Sequence, residues 1–396
     1  MHKKIAVEEL QVGMYIHDLG VPWQQHDFLL PRFKVQTPET VNAIRACTPW
    51  VTIDTDKGID VPPHAPSSTP APATEAPPLI AKIQRVELQE ELIVARKLLR
   101  EARDTVKHTM EDARTGTISS IPQMREVAQR MMESTSRHPG ALLSLVGLKT
   151  KDDYTFSHCV AVGAFMIALG KQLGLGEDEL REAGTAGLLH DVGKSHIPAE
   201  ILNKPGRLTE SEFAVVRMHP QLGYQTLLET GYADSGALDV VRHHHERLDG
   251  QGYPSRLDSA QITRLMRMST IADVYDAVTS ERVYHKAMPP TAALQMLLSG
   301  AGTQFDGDIV RAFIKTVGIY PNRSLVRLRS GRLAVVLEQH PVNTVAPIVK
   351  VFFSVNSDEP ILPYVLNLAH GTDTIVSFED PGVWNLDIDK HAATSI

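Results

Sequence analysis

Seven side chains of this sequence form a set that metal chemistry would use: His158, His190, Asp191, His219, His244, His245 and Asp273. Together they supply five imidazoles and two carboxylates. The set contains no thiolate, which argues against a structural zinc knot, and its nitrogen content argues against calcium, which takes oxygen alone. Nitrogen plus carboxylate, with positions left open, suits two hydrolytic first-row divalent ions, iron or manganese before others.

The spacing narrows the chemistry. His190 and Asp191 adjoin on the last turn of an expected helix, just before Gly193. Neighbouring helical residues diverge by about 100°, so the two cannot clamp a single ion as an H-E-x-x-H pair can. One natural arrangement has Asp191 bridging two ions, with His190 on only one. His158, His190, Asp191 and Asp273 then hold the first, and Asp191, His219, His244 and His245 the second. Octahedral ions would keep positions for a shared hydroxide and a phosphate oxygen. Such a pair, typically ~3.5–4 Å apart, lowers the pKa of bridging water and holds phosphorus in line for attack. Phosphate diesters, which hydrolyse extremely slowly unaided, need that charge compensation. Lys194, one turn beyond His190, would face the same mouth and hold a non-bridging phosphate oxygen. Taken singly these residues say little, since a lone histidine before an apolar run usually packs and a lone lysine usually lies at the surface. Their co-occurrence within one helical segment carries the reading. His196 and His243 read as structural, and Cys159 as a small core residue.

The elements that must position this set follow from periodicity. Residues 1–60 alternate short apolar runs with turn residues, which predicts a small β-containing N-terminal module. Residues 61–78 carry seven prolines, a composition that builds no core and reads as an extended linker. Residues 79–141 form a helical connector. Leu79 to Arg114 lacks Gly and Pro, and places Leu88, Leu92, Ala95, Leu99, Ala102 and Val106 three or four apart, predicting one long amphipathic helix. Its apolar stripe would dock on its own chain or on a second copy, so a homodimer or a protein partner through this region is one expectation. A second helix is expected over Ile121 to Ser134. Residues 142–322 form the mainly helical catalytic segment, broken at 174–176, 204–206 and 250–252. Thr209 to Glu212 reads T-E-S-E, a capping box that starts a helix. Residues 323–396 form a β-rich appendage, with strands expected over Leu325 to Leu337 and Val345 to Val355. The fold class is thus mainly α, with small β modules at each end.

Composition closes off several classes. A formal net charge of −7 gives no basic footprint, so long nucleic acid is not an expected partner. Two cysteines form no disulfide framework and fit a reducing compartment. The longest apolar stretch, Cys159 to Leu169, is shorter than the roughly 20 residues a bilayer needs, so neither a membrane nor a secretory route is expected, and the cytoplasm is.

At this point the residues match a known pattern. His190-Asp191-Val192-Gly193-Lys194, followed by the string from His244 to Pro254, HHERLDGQGYP, resembles the HD-GYP subgroup of the HD phosphohydrolases at every fixed position. Met218-His219-Pro220, the stretch from Ile271 to Ala277 and Phe305-Asp306 extend the resemblance over about 142–322. The region before it resembles an uncharacterised N-terminal module often joined to this domain. The resemblance implies an all-helical HD fold, an iron or manganese centre on the seven residues above, and hydrolysis of cyclic di-GMP to pGpG or on to GMP. It also implies that Lys194 helps on the phosphate side, that Tyr253 and Arg282 contact the dinucleotide, and that Asp276 belongs to the substrate side or supports the site. Gly250 and Gly252 would permit turns closed to other residues, and Pro254 would stiffen the exit.

Three departures shape the expectation. Where some relatives place a glutamate and a third metal, this chain has Tyr154, whose phenol has a pKa near ~10, so two metals are expected. The family's R-P-Y-[R/K] stretch reads Arg282-Val283-Tyr284-His285, which weakens one phosphate contact unless Lys286 replaces it. The usual F-D-P reads Phe305-Asp306-Gly307, altering a helix start only. Two rival functions stand beside the leading one: a slow cyclic di-GMP-binding sensor, motivated by His285, and a diesterase for another cyclic dinucleotide such as cyclic GMP-AMP.

Overall fold

The structure, a computed structural model, describes residues 2–19, 33–35, 40–41, 44–45, 48–59, 86–116, 118–147, 154–280, 287–340, 343–386, 388 and 391. The chain divides into two compact units, Met1–Ile80 and Ala81–Ile396. The expected Pro-rich linker over 61–78 lies outside the described residues.

The first unit carries an antiparallel sheet of β1 (His2–Ala6), β2 (Tyr15–Asp18), β3 (Phe33–Lys34) and β4 (Trp50–Asp54), in the order β1-β4-β2-β3. Alternation explains it: Ile5, Ile16, Val51 and Ile53 point to one side and form a core with Val7, Leu10, Met14 and Val35. The residues between them on each strand face away.

In the second unit, α1 (Leu88–Thr115) is the expected amphipathic helix. Its start differs from the expectation at Leu79: residues 79–85 lie outside the described set, and Glu87 is an extended N-cap. A run of Glu, Leu and Gln has no composition change that would mark the first turn. Gly116 ends the helix in the left-handed region, its N–H donating to the carbonyls of Ala113 and Asp112. Ala95, Leu98, Ala102, Val106 and Ala113 are buried against α2 (Ile121–Arg137), α3 (Pro139–Leu145) and α4 (Tyr154–Gln172). The apolar stripe is therefore covered by its own chain. Glu91, on the same face and 1% exposed, accepts two hydrogen bonds from Arg137 at 2.7 and 2.9 Å and one from Ser134 at 2.7 Å.

The apolar stretch Cys159 to Leu169 belongs to α4, which is buried from His158 to Gly170 and is apolar on all sides because helices surround it. No helix among the described residues is long and apolar enough to cross a membrane. After α4 come α5 (Glu177–Leu189), a 3-10 turn at Val192–His196, α6 (Ala199–Leu202), α7 (Glu210–Val216), α8 (His219–Glu229), α9 (Ser235–His243), α10 (Arg264–Thr279), α11 (Pro290–Ser299) and α12 (Gly307–Val317), of which α5, α10 and α12 pack on α4. The capping box is present: Thr209 Oγ1 accepts from Glu212 N, and Glu212 returns a carboxylate to Thr209 N. The helix it opens stops at Val216, and His219 starts the next one with Pro220 in its first turn. Asp306 caps α12, accepting from the N–H groups of Asp308 and Ile309.

The C-terminal sheet is antiparallel in the order β8-β7-β6-β5-β9. Strands β5 (Leu325–Leu328), β6 (Arg332–Glu338) and β7 (Ile348–Ser354) fill the two expected regions. Strands β8 (Glu359–Asn367) and β9 (Ile375–Phe378) were not anticipated. β8 is a mostly exposed edge strand that carries Pro360 and Pro363, so it shows no alternation of buried and exposed positions.

Candidate metal centre

Four helix ends and two helix interiors deliver the seven residues. His158 lies in the first turns of α4, His190 caps the C-terminus of α5, and Asp191 stands between α5 and the 3-10 turn. His219 opens α8, His244 and His245 follow α9, and Asp273 projects from the middle of α10. Gly193 makes the closest approach possible, because a Cβ there would overlap the carbonyl of His219 and the backbone of Gly223. His158, His190, Asp191, His219, His244 and Asp273 are all buried, while a quarter of the His245 side chain is exposed.

The donor atoms fall into two groups. Those of His158, His190 and Asp273 lie within 4.8 Å of one another, and so do those of His219, His244 and His245. Asp191 sits between the groups with one oxygen facing each. Its Oδ2 is 3.6 Å from His158 Nε2 and 3.3 Å from His190 Nε2; its Oδ1 is 3.2 Å from His219 Nε2 and 3.9 Å from His244 Nε2. Asp273 Oδ1 is 3.0 Å from His158 Nε2, and Asp273 Oδ2 is 3.7 Å from His245 Nδ1. Two donors on one first-row ion, each ~2.1 Å away, stand about 3.0–3.4 Å apart, and the His158–Asp273, His190–Asp191 and His219–Asp191 separations fall in that range.

Hydrogen bonding behind the rings sets which nitrogen faces inward. The Nδ1 of His190 meets the Gly187 carbonyl at 2.7 Å, that of His219 meets Val216 O at 2.7 Å, and that of His244 meets Val240 O and Val241 O at 3.1 Å. His158 Nδ1 meets Asp276 Oδ2 at 2.6 Å. Each acceptor requires Nδ1 to carry the proton, which leaves Nε2 as a lone pair directed at Asp191. His219 Nε2 and His244 Nε2 then face each other at 3.2 Å, acceptor to acceptor. His190 Nε2 and Asp191 Oδ1 are buried with no hydrogen-bond partner. A site of converging lone pairs and orphaned acceptors fits divalent cations.

The electrostatics favour ionised carboxylates and, at His244 and His245, free-base imidazoles. Burial opposes charge on Asp191, but Lys194, His190 and His219 outweigh it and hold the carboxyl well below its usual range. Burial likewise opposes charge on Asp273, and the neighbouring His158 outweighs it. Burial and the adjacent imidazoles push His244 well below the ordinary histidine value, and burial takes His245 down to about 3. His190 is held above its ordinary value because the two aspartates overcome its burial. Cys159 also has its donor atom near His190 and Asp191, but burial and the Asp191 charge keep its thiol well above its usual pKa, in keeping with a small core residue.

The remaining expected site residues are placed as follows. Lys194 Nζ sits 2.6 Å from Asp191 Oδ2, with a quarter of its side chain exposed, so in this structure its partner is the Asp191 carboxylate. Tyr253 stacks on His245 with ring centroids 4.6 Å apart, and the Arg217 guanidinium lies 4.4 Å from its ring centre. Asp276, grouped at the sequence level with the substrate contacts, is 3% exposed behind His158, where it orients that ring and faces no open site. Tyr154 stacks on His158, with ring centroids 5.8 Å apart. His196 bonds Thr226 Oγ1 at 2.8 Å, and His243 is buried near Ser255. Arg282, His285 and Lys286 lie outside the described residues.

Two residues of the site were missed. Arg217 precedes His219 by two, and a cation at a helix end is too common to signal anything. Glu246 is 1% exposed, and its carboxylate accepts from Ser255 N at 2.7 Å and Leu257 N at 3.2 Å, closing the loop that presents Tyr253; the acidic residue directly after two ligand histidines was its only sequence signal. Within that loop Gly250 has φ +68°, as a tight turn needs. Gly252 is required for a different reason than expected: a Cβ there would come within 2.5 Å of Glu246 Cα and Arg247 N.

Comparison with known proteins identifies this arrangement. An HD domain family matches residues 122–309, and a domain of unknown function, DUF3391, matches residues 2–121. A cyclic di-GMP phosphodiesterase of Pseudomonas aeruginosa is 44% identical over 97% of this chain and 94% of its own length. The chain belongs to the HD-GYP family. Another member, a cyclic di-GMP phosphodiesterase response regulator of Xanthomonas campestris, is 37% identical over 49% of this chain and 50% of its own. A 3'3'-cGAMP-specific phosphodiesterase of Vibrio cholerae is 38% identical over 37% of this chain and 34% of its own. The HD-GYP-type protein Bd1817 of Bdellovibrio bacteriovorus shares the fold, with a TM-score of 0.50 at 16% identity over 79% of this chain and 98% of its own.

Proposed function

We propose that this protein is a metal-dependent phosphodiesterase that hydrolyses cyclic di-GMP to pGpG, to GMP, or to both. In this reading His158, His190, Asp191 and Asp273 hold one divalent cation, and Asp191, His219, His244 and His245 hold a second; iron or manganese suits the donors. The observation that carries it is the 3.2 Å approach of two imidazole Nε2 atoms whose Nδ1 atoms are both committed to carbonyls. Two lone pairs converge favourably only on a shared positive charge, and the suppressed basicity of His244 makes a proton a poor candidate. When bound, the cations supply Lewis-acid charge to the phosphodiester and acidify water at neutral pH.

The chain's own residues do the positioning. Asp276 and the helix carbonyls hold four imidazoles in one tautomer. Lys194 neutralises Asp191 and brings positive charge to the mouth, within reach of a phosphate oxygen. Tyr253, braced by His245 and Arg217, offers an aromatic platform for a base or ribose. Arg282, Asp276 and Lys286 complete the proposed substrate side, Asp276 only indirectly through His158.

The test is the full-length protein loaded anaerobically with Fe(II) or Mn(II), given cyclic di-GMP, and followed by chromatography. Release of pGpG or GMP is expected; no product under conditions where the Pseudomonas relative turns over would overturn the reading. The Vibrio similarity favours including cyclic GMP-AMP in the same assay, because nothing in the described site separates guanine from adenine.

A further inference from the structure

The N-terminal unit brings together a second constellation with ligand chemistry. His2 on β1, His17 on β2 and Asp54 on β4 come from three neighbouring strands, and their donor atoms lie within 4.8 Å of one another. We propose that His2, His17 and Asp54 form a binding site for an exchangeable first-row divalent cation, separate from the catalytic centre.

Three observations carry the assignment. First, the register sets two of the ligands: His2 pairs directly with Asp54 across β1 and β4, so both project from the sheet face opposite the apolar core. Second, the β2–β4 pairing shifts there, with Ile16 opposite Ile53 and Asp18 opposite Thr52. His17 is therefore the extra residue of a β-bulge, a device that re-aims a side chain. It is turned onto His2, with ring centroids 3.6 Å apart and planes inclined by 26°. Third, Asp54 lies on the outward face yet is only 5% exposed. Its Oδ2 is 3.7 Å from His2 Nε2, too long for a hydrogen bond and close to the ~3.4 Å between two donors on one tetrahedral ion.

The donor set decides the class of ligand. Two imidazoles and one carboxylate suit zinc and its neighbours and are a poor match for calcium or magnesium. Three protein ligands leave a coordination position open, and the His2 side chain is half-exposed, at 53%. Such a site exchanges its ion with solution. Lys57 Nζ, 3.9 Å from Asp54 Oδ2, is the cation's built-in competitor.

The experiment uses full-length protein with any tag at the C-terminus, equilibrated with zinc and analysed for metal per chain, with manganese-supported phosphodiester hydrolysis measured in parallel. His17→Gln and Asp54→Asn are each expected to hold one zinc fewer per chain than wild type, with the manganese-supported rate unchanged. Equal zinc in wild type and both variants would overturn the site. Lys57→Ala guards against a loss caused by misfolding, because removing the competing ammonium is expected to tighten zinc binding at this site. No tightening in that variant would count against the proposal in the same way.

Discussion

Asp276→Asn isolates the one contact that orients a proposed ligand without touching the ions. The His158 Nδ1 to Asp276 Oδ2 separation is 2.6 Å, and both groups are buried. A hydrogen bond to a charged partner contributes about 1.5–3 kcal/mol, and every 1.4 kcal/mol is tenfold in a binding constant. Loss of the carboxylate is thus worth about 10- to 100-fold in metal affinity, the same range seen when groups behind a metal-ligating histidine are replaced. The loss should fall on the ion held by His158, His190 and Asp273, because His219, His244 and His245 are braced by carbonyls and their neighbours instead. Chelator competition with Mn(II) measures it directly, and activity at limiting and saturating Mn(II) separates binding from turnover. Activity recovering at saturating metal is expected. If metal affinity and activity both stay within about twofold of wild type, then Asp276 does not act through His158 and the argument fails.

Three further outcomes are expected. Glu91→Ala leaves Arg137 without its bidentate partner and should lower stability by about 3–5 kcal/mol in urea denaturation; a loss below ~1 kcal/mol would mean the pair is screened like an exposed one. Glu182 is pushed up to about 7 by burial and by its hydrogen bond with Asp234, which itself caps α9. The fold therefore favours the protonated carboxyl, so the stability cost is absent below the unfolded value of 4.5, grows as pH rises, and is full above about 7. Glu182→Gln, which mimics the neutral form, should raise Tm at pH values above that window and leave it unchanged below it; a Tm difference independent of pH would remove the cause. Arg217→Ala takes the cation from the ring of Tyr253, a contact worth about 1 kcal/mol, and should raise KM roughly fivefold with kcat retained. A fall in kcat alone would place Arg217 elsewhere in the mechanism.

The metal set was legible because imidazoles and carboxylates in one helical segment are chemically specific, and their order survives without any knowledge of how the helices pack. The placing of Asp191 between two groups of donors was legible too, since its two oxygens face His158 and His190 on one side and His219 and His244 on the other. What stayed hidden depends on tertiary approach. Arg217 reaches Tyr253 only because the α7–α8 junction packs beside the loop after His245, and no local pattern announces that. The role of Gly252 comes from the backbone of 245–247 passing beneath it, which a turn rule misses. His17 joins His2 and Asp54 through a register shift between strands far apart in sequence. On β8, Pro360 and Pro363 and an exposed edge erase the signal that β5 to β7 give plainly.

Charge balance links the proposed centre to its substrate. Asp191 and Asp273 bring two negative charges, Lys194 returns one positive, His244 and His245 with suppressed basicity add little, and the two aspartates favour a proton on His190. Such a pocket has little positive charge to spare for a cyclic dinucleotide, which carries two phosphodiester charges of its own. Two divalent ions reverse the local sign and leave an excess of positive charge that the dinucleotide can neutralise. Depth enforces this order, because the carboxylates and four of the histidines are buried, where an uncompensated charge is far more costly than in water. Lys194, partly exposed and bonded to Asp191, is a cation placed to lean toward either Asp191 or an arriving phosphate. In the proposed reading metal loading would therefore precede productive substrate binding, and the helix ends that fix the Nδ1 protons would make the site receptive to metal in the first place.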